Sequence, residues 1–137
     1  MTSTPSANPP RRPRAVFGPV RPVCWPALGE EHAAEFLAEL SDWVEWIQWR
    51  YTLDHRVIPT CWRDHGPHLE ELSALYTAWQ NAYNISTDGD APLRWIEHFT
   101  AARQRLTDWT ARSGCRPGEH RGRITDPTPP SGPRQTL

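Results

Sequence analysis

The 137-residue sequence predicts an all-α protein, a small three-helix bundle flanked by disordered Pro/Arg-rich tails. Three observations predict it. Apolar residues recur at three- and four-residue spacing in three separate stretches, the periodicity of a helix with one buried face. No stretch alternates with the period of two that a half-buried strand requires. Proline is crowded into the two ends, which offer too little apolar surface to offset the cost of ordering them. The expected organisation is therefore a disordered basic tail over residues 1–24, a helical domain over 25–120 and a second disordered tail over 121–137.

The first helix is expected at about 30–53, where Phe36, Leu40, Trp43, Val44, Ile47 and Tyr51 share a face. The segment His55–Trp62 interrupts it, because Pro59 favours an extended approach. A second helix is expected at about 67–84. Pro67 suits the first turn, Glu70 and Glu71 suit the positive end of the dipole, and Leu72, Leu75, Tyr76, Trp79 and Tyr83 form the buried stripe. After the loop NISTDGDAP, with Asp90 as N-cap, a third helix follows at about 91–113. It buries Trp95, Phe99, Ala102, Leu106 and Trp109 and stops at Gly114. The short loop between the second and third helices implies antiparallel packing, with Trp79, Phe99, Leu106 and Trp109 in contact. Eight tryptophans give this small core a large buried area per residue.

Charge is unevenly placed, and every basic residue is arginine. Residues 1–24 carry +4, residues 25–111 carry −8 and residues 112–137 carry +3, so an acidic core lies between basic tails. Neither a signal peptide nor a membrane-length apolar run is recognisable, and a cytoplasmic protein with reduced Cys24, Cys61 and Cys115 is expected.

The stretch TCWRDHGPHLEEL, residues 60–72, concentrates Cys61, His65 and His68 at the entrance to the second helix. Antiparallel packing brings that entrance beside the end of the third helix, where SGCRPGEH supplies Cys115 and His120. Cys61, His65, Cys115 and His120 are thereby a candidate structural zinc set, with His68 as an alternate. Their Cys-x3-His and Cys-x4-His spacings are not those of common zinc fingers. A second reading stands beside the first, with buried thiols, His65 bonding the free amides of the helix start and His120 in a loose tail. A catalytic reading would pair Cys61 with His65 or His68 and orient the imidazole with Asp64. It needs a cleft that a core filled with indoles leaves little room for, and no catalytic residue is expected. His32, His55 and His98 are expected to be solvated.

The CW..H pattern at 61–65, the EL..L run at 71–75 followed by Trp79, Trp95, and GC....H at 114–120 resemble an uncharacterised family. Its members are small actinobacterial proteins found on plasmids, integrative elements and phages. The resemblance covers about residues 40–120. It implies an accessory, mobile-element setting, matches Cys61, His65, Cys115 and His120, and carries over no catalytic residue.

Function is then expected to be non-enzymatic protein binding. On a helical wheel Trp46 and Trp49 fall away from the core face, among Glu31, Glu35, Glu39 and Asp42. Indoles ringed by carboxylates suit a basic or proline-rich peptide, the chain's own tail included. The alternative is that Trp46 and Trp49 pack against residues 16–28, with Val16, Phe17 and Trp25, and enlarge the core. A different class of function, nucleic-acid binding, would use Arg11, Arg12 and Arg14 with Arg112, Arg116, Arg121 and Arg123 on phosphates. The acidic core opposes it.

Overall fold

The computed structural model describes residues 9–121. The expected C-terminal tail beyond Arg121, Arg123 included, and residues 1–8 lie outside that range. Three α-helices make up the domain: α1 (Glu30–Tyr51), α2 (Gly66–Ala82) and α3 (Ala91–Ser113). Two short 3-10 turns, Trp25–Ala27 and Trp62–Asp64, precede α1 and α2. The all-α three-helix fold expected from periodicity is the fold observed, and no named strand occurs among the described residues.

Each helix end has a local cause. Glu30 and Glu31 occupy the first turn of α1, and its chain reverses at Thr52, whose φ of 55° is left-handed. Pro67 and Pro92 sit in the first turns of α2 and α3, where a missing N–H costs nothing. Gly114 ends α3 with a φ of 74°, a conformation that favours glycine. Asp90 stands at the N-cap position of α3 as expected, yet its carboxylate pairs with Arg94 at 2.8 Å and caps no amide.

Helices α2 and α3 run antiparallel. The cross-links descend one helix while they climb the other: His68 to Thr110, Glu71 to Arg105 and Leu75 to Trp95. The core is continuous, with Leu40, Trp43, Val44 and Ile47 of α1 against Leu72, Leu75, Tyr76 and Trp79 of α2 and Trp95, Phe99, Ala102 and Leu106 of α3. The connection from α1 to α2 adds Leu53, Val57, Ile58 and Trp62, so it is a packed part of the core as well as a helix breaker.

Two residues assigned to the core lie at its edge. Tyr83 is 41% exposed because α2 ends at Ala82, leaving its ring against the outer side of Trp79. Trp109 is 37% exposed, under the Arg112 guanidinium, while its neighbour Thr110 takes the buried place four residues beyond Leu106. The stripe on α3 is therefore Trp95, Phe99, Ala102, Leu106 and Thr110. Residues 9–24, expected as part of a free tail, follow an extended course before the first 3-10 turn. That course is held by a parallel bridge between Val16 and Asn84, by the Ile85 amide donating to the Val16 carbonyl at 3.2 Å, and by the Asn84 side-chain amide on the Gly18 carbonyl. None of the helices described is long and apolar enough to cross a membrane.

Candidate metal centre and peptide face

Cys61 closes the connection into α2, and His65 is the N-cap residue of that helix. The antiparallel hairpin sets them against the segment that leaves α3 at Gly114. That segment folds back on itself through paired backbone bonds between Arg116 and Glu119, with Gly118 at a φ of 77°, and so returns His120 toward Cys115.

The result is a cluster in which one ligand atom from each of Cys61, His65, Cys115 and His120 lies within 4.8 Å of all the others. The Cys61 and Cys115 sulfurs are 3.5 Å apart. His65 Nε2 is 3.4 Å from Cys61 Sγ and 3.3 Å from Cys115 Sγ, and His120 Nδ1 is 3.7 Å from Cys115 Sγ. A tetrahedron of two thiolates at about 2.3 Å and two imidazoles at about 2.0–2.1 Å from an ion has edges of about 3.3–3.8 Å. The four separations fall in that range, and the cluster could hold a metal ion.

Electrostatics prepares one sulfur of the pair. Burial pushes the Cys115 thiol up, but hydrogen bonds involving the Arg121 backbone, Ser113, Cys61 and His65 outweigh burial and bring it down to about 6. The Arg121 amide donates to Cys115 Sγ at 3.1 Å. Burial, reinforced by the hydrogen bond with Cys115, pushes the Cys61 thiol up to about 11. The two thiols are thus shifted in opposite directions, with Cys115 the one favoured as thiolate.

His68, expected as an alternate ligand, is held elsewhere. Its ring is 1% exposed and its Nε2 lies 2.9 Å from Thr110 Oγ1, while Nδ1 is buried with no hydrogen-bond partner among the described residues. Thr110 Oγ1 in turn reaches the carbonyls of Leu106 and Val57, at 2.8 and 3.2 Å. His68 therefore ties α2 to α3 and to the α1–α2 connection behind the candidate ligands. Burial, and secondarily the neighbouring His65, lowers its pKa to about 4, so the ring is neutral. His55, expected to be solvated, is half-buried, with Nε2 3.2 Å from the Cys115 carbonyl. Neither role leaves a trace in sequence spacing, since the partners are 42 and 60 residues away.

The second candidate site lies on α1. Glu35, Glu39, Asp42, Trp46 and Trp49 follow one another at spacings of four, three, four and three, one stripe of the helix. The structure divides its two indoles. Trp49 is 51% exposed, whereas Trp46 is half-buried with its ring centroid 5.6 Å from that of Trp79. Glu39 accepts a 2.6 Å hydrogen bond from the Tyr76 hydroxyl, which fixes the acidic end of the stripe against α2. Trp46 also packs against the core cluster, so it enlarges the core as the alternative reading expects, while Trp25 lies on Phe36 and Phe17 is 69% exposed.

Comparisons with protein-family models, with curated proteins and with solved structures find no match for this chain.

Proposed function

We propose that the protein is a non-enzymatic interaction module, a helical bundle stapled by one structural zinc ion, whose α1 face receives a basic, proline-rich peptide. The accessory, mobile-element setting is the one the family resemblance implies. Zinc suits the donor set because two thiolates and two imidazoles are its preferred ligands. Four protein donors fill a tetrahedron without leaving a position for substrate, which is the signature of structural rather than catalytic zinc. Bound there, the ion ties the segment after α3 to the entrance of α2 and supplies stability to a domain with a small core.

The observation that carries the binding role is the exposure of Trp49 beside Trp46, continuous with the carboxylates of Glu39 and Asp42. A flat aromatic surface next to negative charge recognises proline rings and guanidinium groups together. Arg11, Arg12 and Arg14 line a groove with Glu39 and Asp42, which favours the peptide reading over phosphate contacts by those arginines.

The test has two parts. Elemental analysis should find about one zinc per chain, and a panel of immobilised proline- and arginine-rich peptides should retain the protein. Trp49→Ser should abolish that retention while leaving the melting temperature nearly unchanged. Retention unaffected by Trp49→Ser would refute the assignment of the face.

A further inference from the structure

The N-terminal segment lines two open grooves together with residues of the α1 stripe. One groove, about 350 Å³ in volume, is lined by Pro9, Pro10, Arg12 and Pro13 on one side and by Trp46, Trp49 and Trp79 on the other. A second, of about 650 Å³, is lined by Arg11, Arg12 and Arg14 together with Glu39, Asp42, Trp43, Tyr76 and Trp79. Pro9 and Pro10 thus line only the groove at the indole end of the stripe, Arg11 and Arg14 only the one at its carboxylate end, and Arg12 and Pro13 line both. Because Trp49 follows Asp42 along α1, the segment runs opposite to the helix.

The matched order is notable because the sequence repeats its pattern. Residues 9–14 read PPRRPR and residues 129–134 read PPSGPR, so PPxxPR occurs once near each end of the chain. Both contain a P-x-x-P core, the spacing at which an extended proline segment presents two rings to an aromatic groove.

We propose that the α1–α2 groove is a receptor for PPxxPR segments and that residues 9–14 occupy it as an intramolecular ligand, which an external segment of the same pattern must displace. The inference rests on the peptide-binding reading above and adds the ligand's pattern and its regulation. Two features make the contact displaceable. The segment faces the helices across open grooves of several hundred cubic ångströms, and its backbone anchors, Val16 and Gly18, lie after the motif. The tether is short, because Val16 is fixed by its bridge to Asn84 two residues beyond Arg14. A short tether gives the resident segment an effective concentration on the order of millimolar, which a competitor must exceed. Charge complementarity is consistent with this occupancy, since residues 1–24 carry +4 and residues 25–111 carry −8.

The experiment uses the full-length chain and a second full-length chain carrying Pro10→Ser, Pro13→Ser and Arg14→Ser, which weakens the resident ligand and leaves the groove intact. Each is titrated with the peptide PPRRPRAV (residues 9–16), followed by tryptophan emission and calorimetry. The substituted chain should bind at least about tenfold more tightly than the unsubstituted one, and adding Trp49→Ser should remove the binding. The peptide PPSGPRQT (residues 129–136) should bind the substituted chain more weakly, having one arginine for three, yet more tightly than a scrambled PPRRPRAV. Equal affinity of both chains for PPRRPRAV would overturn the intramolecular occupancy. A scrambled peptide that binds as well as the native order, or failure of either native peptide to bind the substituted chain, would overturn the motif. If those arms fail while other proline- and arginine-rich peptides are still lost on Trp49→Ser, only this inference falls. If Trp49→Ser changes no binding, the peptide face falls with it.

Discussion

The sulfurs of Cys61 and Cys115 lie 3.5 Å apart although 54 residues separate them in the chain. A disulfide would need about 2.05 Å, whereas two thiolates on one tetrahedral ion stand about 3.8 Å apart. The chain purified from zinc-containing medium should therefore retain about one zinc. At free zinc a hundredfold above its dissociation constant the ion adds about 2.7 kcal/mol of stability, which a chelator should remove. Cys115→Ser and His65→Ala should each abolish that difference. A melting temperature indifferent to the chelator, together with no bound metal, would leave the four residues as buried thiols and helix-entry histidines.

His68 gives the fold a pH dependence of its own. Its native pKa of about 4 lies below the ordinary value of 6.5, so between those values the unfolded chain binds a proton that the folded chain refuses. The stabilisation is complete above about pH 6.5 and is lost as pH falls toward 4. At 1.36 kcal/mol per unit the full loss is about 3 kcal/mol. Urea unfolding at pH 7 and pH 4.5, with chelator present throughout so that metal release does not contribute, should show most of that loss, about 2 kcal/mol, in the native chain. It should shrink by about 2 kcal/mol in His68→Gln, which offers an amide donor to Thr110 and does not titrate.

Trp46, Trp49 and Trp79 should separate cleanly on substitution. Trp79 belongs to the core and meets Trp43 as well as Trp46, so Trp79→Ala should cost about 3–5 kcal/mol. Trp46→Ala loses one half-buried aromatic contact, worth about 1–2 kcal/mol. Trp49→Ser should change stability by less than about 0.5 kcal/mol. Denaturant titration of the three variants gives the ranking directly, and an equal cost for Trp46 and Trp49 would contradict the packing on Trp79.

Thr52 is the one residue other than glycine with a positive φ among those described, and it is β-branched. A left-handed conformation costs such a residue about 1–2 kcal/mol relative to glycine. Thr52→Gly should therefore raise stability by about 1 kcal/mol after the entropy of the freer unfolded chain is subtracted. A lower melting temperature in the variant would mean that the Thr52 side chain contributes more than its backbone strain costs.

Why the Cys/His cluster was legible in sequence and the face only in part follows from particular residues. The helices announce themselves through repeated apolar spacing: α3 begins and ends at the residues expected, and α1 and α2 stop two residues early. Cys61, His65, Cys115 and His120 could be grouped because a short loop forces an antiparallel hairpin that sets both pairs at one end, and the turn at Arg116–Glu119 then returns His120 to Cys115. Periodicity fails at the margins of a stripe, where a rotation of a few tens of degrees exchanges Trp109 for Thr110 and turns Trp46 inward. Hydrophobicity also misranks these positions, since Thr110 is buried by its hydrogen bonds and not by apolar character. The course of residues 9–18 depends on a bridge to Asn84, a contact no local pattern encodes.

The placement of the candidate metal ligands at the open end of the α2–α3 hairpin bears on how long the native state lasts. Only residues 83–90 separate those helices, so their pairing is local and can form early on the folding route. The candidate-ligand segments 61–65 and 115–120 flank the hairpin, so they should become aligned after its helices have packed. An ion bound there stabilises the native state more than the barrier crossed to reach it, and its effect falls on the rate of unfolding. Stopped-flow measurements with and without zinc should then give nearly the same refolding rate and a much slower opening with the ion in place. The lifetime of the folded chain is in that case set by how slowly it gives up its metal.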